Sequence, residues 1–185
     1  MEQVSYFEKA GDRTEEVLEI CKKYCEAHGI HDIVVASTTG RTGAMSVKLL
    51  KGMNIVVVTH YAGLKEAGKV ELLEDAKKEI EKNGGKIIIA THALGGVESA
   101  LRKFNTVGPV ELIASALKIF GQGTKVCVEI GLMAADAGLI PVDRDVVCIA
   151  GTGHGADTAI VMKPTNTGSF FDLKIRKFLC KPANF

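Results

Sequence analysis

The chain reads as a three-layer α/β/α domain built on a mostly parallel sheet. Two observations predict this class: short, continuous β-branched runs of the kind buried on both faces of a parallel sheet, and helical segments alternating with them. A third comes from one short connection. The runs Asp145–Ala150 and Asp157–Met162 are separated only by Gly151–Ala156, too short for the crossover that parallel neighbours require. If adjacent, these two strands must be antiparallel.

Thr14 is placed as the N-cap of a first helix, with Glu15 and Glu16 in its first turn and Val17, Leu18, Cys21, Tyr24 and Cys25 at helical spacing. Gly29 ends it, and Asp32–Ser37 is the first predicted strand. A polar turn leads into a helix over Ala44–Leu50, and Asn54–Thr59 is the second strand. Glu71–Lys82 is a helix stopped by Gly84 and Gly85, and Lys86–Thr91 is the third strand. Helices then follow: a short one over Val97–Phe104, one opening on Pro109, and one over Lys125–Ala137 behind Thr124 and closed by Gly138. Asp145–Ala150 and Asp157–Met162 are the fourth and fifth strands. The tail Phe170–Phe185 packs in a manner the pattern does not specify.

The 185 residues suit one domain, 1–185. A net charge of +1, from 23 basic and 22 acidic residues, carries no electrostatic footprint for nucleic acid. Aromatics make up 5% with no Trp, which disfavours a base-stacking platform. No run approaches the ~20 apolar residues of a membrane span, so the expectation is a cytoplasmic protein with no membrane or nucleic-acid partner, compatible with a homo-oligomer. The five cysteines lack Cys-x-x-Cys spacing, and reduced thiols without a metal site are expected.

In open α/β sheets, ligands bind beyond the carboxyl ends of strands where chain order reverses. Four polar, small-residue tips stand there: Ser37-Thr38-Thr39-Gly40-Arg41-Thr42-Gly43, Thr59-His60-Tyr61-Ala62-Gly63, Thr91-His92-Ala93-Leu94-Gly95-Gly96 and Gly151-Thr152-Gly153-His154-Gly155. In the first, hydroxyls, freed backbone N–H groups, Arg41 and a following helix N-terminus can all donate to a phosphate. The competing reading is a capped helix with a solvated arginine. The loop is not a Walker motif, and the Gly151–Asp157 turn is not a dinucleotide fingerprint, because a strand follows where a helix is needed.

His60 and His92 each follow a threonine at a strand end, so two imidazoles could serve one mouth as hydrogen-bond partners or acid–base groups. Histidines capping helices or facing solvent are the plainer alternative. On the Lys125–Ala137 helix, Glu129, Met133 and Asp136 share a face. A ligand's ring or hydroxyls could meet it, against the commoner outcomes of a solvated or capping acid and a core methionine.

The stretch Asp32–Lys48 followed by Asn54–Thr59, about a third of the chain, resembles the carboxyl-terminal domain of pyruvate kinase, where the corresponding turn holds a phosphate of an allosteric sugar bisphosphate. The whole chain is similar to a stand-alone, largely archaeal family of pyruvate-kinase carboxyl-domain-like proteins, through the Ser37–Gly40 turn, the Met133–Leu139 helix end and the Gly151–Asp157 turn. That resemblance implies a mixed five-stranded sheet in the order 3-2-1-4-5 with strand five antiparallel. It also implies flavin mononucleotide (FMN) as the bound ligand.

Carried over by residue, the phosphate role falls on Ser37, Thr38, Thr39, Gly40, Arg41, Thr42 and Gly43. Ring and ribityl contacts fall on Thr59, His60, Thr91, His92, Gly151, Thr152 and Gly153, with Glu129 and Met133 as further candidates. No barrel domain or phosphoenolpyruvate apparatus can be located, so pyruvate kinase activity is not expected. Three readings stay open: a flavin-binding protein that could act as a flavin-dependent oxidoreductase, a non-catalytic sensor of a phosphorylated metabolite, and a flavin-independent lyase or isomerase using His60 and His92.

Overall fold

The computed structural model describes residues 3–185. In chain order its elements are β1 (Ser5–Lys9), α1 (Thr14–His28), β2 (Asp32–Ala36), α2 (Arg41–Leu49), β3 (Asn54–Thr59), α3 (Glu74–Lys82), β4 (Lys86–Ile89), a 3-10 segment (Gly96–Phe104), α4 (Pro109–Lys118), α5 (Gln122–Asp136), β5 (Val146–Ala150), β6 (Thr158–Lys163), a second 3-10 segment (Thr167–Asp172) and β7 (Lys174–Asn184).

One sheet holds all seven strands in the order β1-β7-β6-β5-β2-β3-β4. Its β4-β3-β2-β5-β6 portion has the five expected strands in the expected order, with β6 antiparallel to β5. The count of five is corrected to seven: β7 pairs antiparallel with β6, and β1 closes the edge in parallel with β7. The tail of the chain is therefore sheet, joined to its beginning.

Alternating side chains of each central strand enter two separate cores, which is why these strands read as unbroken apolar runs. Ile33, Val35, Val57, Val147 and Ile149 pack with Val17, Leu18 and Cys21 of α1 and Val47 of α2. Val34, Val56, Cys148 and Ile160 pack on the other face with Cys127, Leu132 and Met133 of α5. Ile33, Val34 and Val35 are all fully buried although they face opposite ways.

Several helix starts differ from expectation. Thr14 is not the N-cap of α1 but its first residue: Asp12 Oδ1 accepts from both the Thr14 N–H (3.1 Å) and the Thr14 hydroxyl (2.6 Å). Helix α2 begins at Arg41 rather than Ala44, so Arg41, Thr42 and Gly43 form a first helical turn instead of a loop. Helix α3 begins at Glu74 rather than Glu71. Helix α5 begins at Gln122 behind Gly121, and the Thr124 hydroxyl donates back to Phe120 O rather than capping.

Candidate functional site

Strand β2 pairs in parallel with β3 on one side and with β5 on the other. The connection through α2 leads to β3 and away from β5, so the order reverses between β2 and β5. The tips after these strands stand side by side at their carboxyl ends.

The loop after β2 is built from inside. Buried Ser37 accepts the Gly43 N–H on its Oγ (3.1 Å), and the Thr59 hydroxyl at the end of β3 donates to Thr38 O (2.7 Å). Thr39 O accepts from the Leu73 N–H (3.1 Å), tying the loop to the chain entering α3. Gly40 has φ 87°, and a Cβ there would stand 2.6 Å from Leu72 Cδ1 and 2.7 Å from Ala76 Cβ. A glycine is thus required by both backbone and neighbour. The first turn of any helix leaves N–H groups without intrahelical acceptors; those of Arg41 and Thr42 meet no acceptor among the described residues. Arg41 itself is exposed.

His60 and His92 converge, their ring centroids 5.1 Å apart in an edge arrangement, and Tyr61 meets His92 edge-on at 5.6 Å. His60 Nδ1 lies 2.7 Å from Glu71 Oε2, and His60 Nε2 lies 3.3 Å from Thr38 Oγ1. Lys65 Nζ is 2.5 Å from the other Glu71 oxygen. The Lys65 hydrogen bond, followed by that of His60, holds the Glu71 carboxyl below its ordinary range. Burial lowers the affinity of His92 for a proton; the Glu129 carboxylate works against this, while His60 and Lys125 lower it further.

Beneath His92, buried Glu129 accepts the Leu94 N–H (3.1 Å) on one oxygen and Lys125 Nζ (2.6 Å) on the other. It thereby fixes the loop that carries His92. Met133 lies in the core. Asp136, expected on the same face, is instead occupied by the Thr167 N–H and hydroxyl and by Asn166. Thr91 is exposed beyond the end of β4.

The glycine turn after β5 is held by Asp157, which is fully buried and accepts the Thr152 N–H (3.2 Å), the Gly11 N–H (3.3 Å) and the Thr158 hydroxyl (2.7 Å). The Thr152 hydroxyl is buried without a partner among the described residues. At Gly153, with φ 84°, a Cβ would meet open space.

Sequence reasoning overlooked Glu71 and Asp157 as polar partners in this region. Glu71 reaches His60 across eleven residues of irregular chain, and no periodicity marks such a pair. A cavity of about 350 Å³ lies elsewhere, lined by residues including Tyr24, His31, Asp32 and Arg144 at the amino ends of β2 and β5. The mouth described here is distinguished by its polar chemistry rather than by enclosure.

The class of the domain is an open α/β sheet with the start of α2 and a glycine turn at its switch point and two imidazoles beyond the neighbouring strands β3 and β4. A family model for the pyruvate kinase alpha/beta domain matches residues 15–162, and the chain belongs to that family. Among solved structures, it is similar to Cryptosporidium parvum pyruvate kinase in complex with ADP, at 14% identity and a TM-score of 0.40. That match covers 83% of this chain but 23% of the enzyme, so the chain spans about a quarter of the enzyme's length.

Proposed function

We propose that the protein binds flavin mononucleotide, with the phosphate at the start of α2 and the ring and ribityl chain towards His60, His92 and the Gly151–Gly153 turn. The observation that carries the phosphate end is the pair of unbonded N–H groups at Arg41 and Thr42, beside the Thr38, Thr39 and Thr42 hydroxyls. The flavin end rests on the resemblance to the stand-alone family. The unpartnered Thr152 hydroxyl and the open position at Gly153 fit a ligand carrying hydroxyls and a planar ring.

In this reading Ser37, Gly40, Gly43 and Thr59 shape the loop, while Thr38, Thr39, Arg41 and Thr42 donate to the phosphate. A bound flavin would supply hydride and electron transfer; the protein orients it and furnishes an imidazole for proton exchange at the mouth. A cytoplasmic setting belongs to the same proposal. It is supported by five buried, unpaired thiols, which suit a reducing compartment.

The test is a visible absorbance spectrum of freshly purified protein, followed by denaturation and mass identification of any released compound. Flavin bands and released flavin mononucleotide are expected. A colourless protein that stays unresponsive to added flavin, yet is stabilised against heat by sugar phosphates, would overturn this reading in favour of a phosphometabolite sensor.

A further inference from the structure

Thr38, His60 and Glu71 form a chain of hydrogen bonds from three separate segments: the loop after β2, the end of β3 and the stretch before α3. An ionised carboxylate only accepts. With Glu71 held ionised by Lys65, the proton between Glu71 and His60 must sit on Nδ1, and Nε2 of the neutral ring is then an acceptor. The Thr38 hydroxyl, 3.3 Å away, donates to it.

We propose that these three residues are a proton relay at the ligand mouth. His60 Nε2 is the group that exchanges a proton with the ligand through the Thr38 hydroxyl of the phosphate loop, and Glu71 is the positioning residue that fixes the tautomer. The proposal rests on the reading of this mouth as a ligand site and adds the acid–base group to it.

A ligand donor gives its proton to Thr38 Oγ1 as the Thr38 hydroxyl passes its own to Nε2, leaving an imidazolium hydrogen-bonded to Glu71, which remains a carboxylate; the reverse shuttle returns a proton to the ligand. With Nε2 protonated, Thr38 Oγ1 accepts from it, and the Thr38 hydroxyl proton is free to be donated to a phosphate oxygen. The remaining charged or titratable groups nearby are Lys65 behind Glu71, and His92 backed by Tyr61, Glu129 and Lys125.

His92 cannot substitute in this role, because among the described residues no carboxylate is hydrogen-bonded to its ring. Glu129, the acid that acts on it electrostatically, has one oxygen on the Leu94 N–H and the other on Lys125.

Side-chain ¹⁵N NMR of the ligand-free protein, at a pH where the ring is neutral, tests the relay directly. Unconstrained histidine favours the Nε2–H tautomer; here His60 is expected as Nδ1–H in the wild type. Glu71→Gln keeps an acceptor oxygen and should retain Nδ1–H, whereas Glu71→Leu should give a mixture dominated by Nε2–H. A wild-type His60 found as Nε2–H overturns the relay without reference to any variant, and an unaltered tautomer in Glu71→Leu removes Glu71 from it. Titration with flavin mononucleotide provides the second readout: Glu71→Leu should weaken binding by about tenfold, the scale of one hydrogen bond. If flavin mononucleotide fails to bind the wild type, the proposed function fails, while the tautomer still decides the relay.

Discussion

Lys125 Nζ and Glu129 Oε2 meet at 2.6 Å one helical turn apart, with side-chain exposures of 12% and 5%. Such a pair offsets its desolvation only while both members are present. Lys125→Met should therefore leave Glu129 with a single partner, Leu94 N–H, and destabilise the fold by about 3 kcal/mol. Urea unfolding of the two proteins measures this; a difference below the error of extrapolation would mean that the acid finds water instead.

The loop that cups the start of α2 depends on Gly40. Gly40→Ala introduces a Cβ at φ 87° against Leu72 and Ala76, and a cost of about 1–3 kcal/mol is expected from the backbone alone. Thermal unfolding should register the loss, and flavin mononucleotide binding should weaken alongside it.

Arg41 stands exposed in the first turn of α2. Its replacement by Ala should leave the melting temperature nearly unchanged but lower the affinity for a phosphate-bearing ligand by about 1.5–3 kcal/mol if the guanidinium closes on the anion. Isothermal titration with flavin mononucleotide reads this directly, and equal affinities would place Arg41 outside the site.

Acidification should destabilise the protein in two stages. His92 binds its proton less readily in the fold than at the ordinary value of 6.5. Just below pH 6.5 the unfolded chain therefore holds more protons, and stability falls as pH falls. Glu71 and Asp12 are depressed from 4.5 and 3.8, by the Lys65 hydrogen bond and by the Thr14 hydroxyl respectively. Their contribution is complete above those values and is lost below them. Thermal scans from pH 7 to 3 should show both stages, and His92→Asn should flatten only the first.

All five thiols are buried, and burial pushes Cys25 and Cys180 up to about 12. Native protein should react very slowly with a thiol reagent, and all five groups should appear on unfolding. Rapid labelling of any one of them in native conditions would contradict this packing.

β2, β3, β5 and β6 were legible because burial on both faces makes them continuous apolar runs, and the edge strand β4 because its three isoleucines follow a helix stopped by Gly84 and Gly85. β7 was not, because Lys174, Arg176, Lys177 and Lys181 interrupt its pattern, and register shifts opposite Ala159/Ile160 and Val161/Met162 break its alternation. β1 escaped notice as a five-residue edge strand in which Phe7 is only half-buried and Tyr6 is exposed. At the mouth, the strand-end histidines and the hydroxyl loop could be named from the order of elements alone. Their partners could not: Glu71, Asp157 and the Lys125 contact depend on how distant segments close in space.

The parallel pairing of β1 with β7 joins segments as far apart as Glu8 and Asn184, 176 residues in sequence. During synthesis at ~5–20 residues per second, β1 waits about 9–35 s for its partner strand to emerge. β1 is thus among the last strands to find its place, and until β7 emerges it has no neighbour in the sheet to pair with.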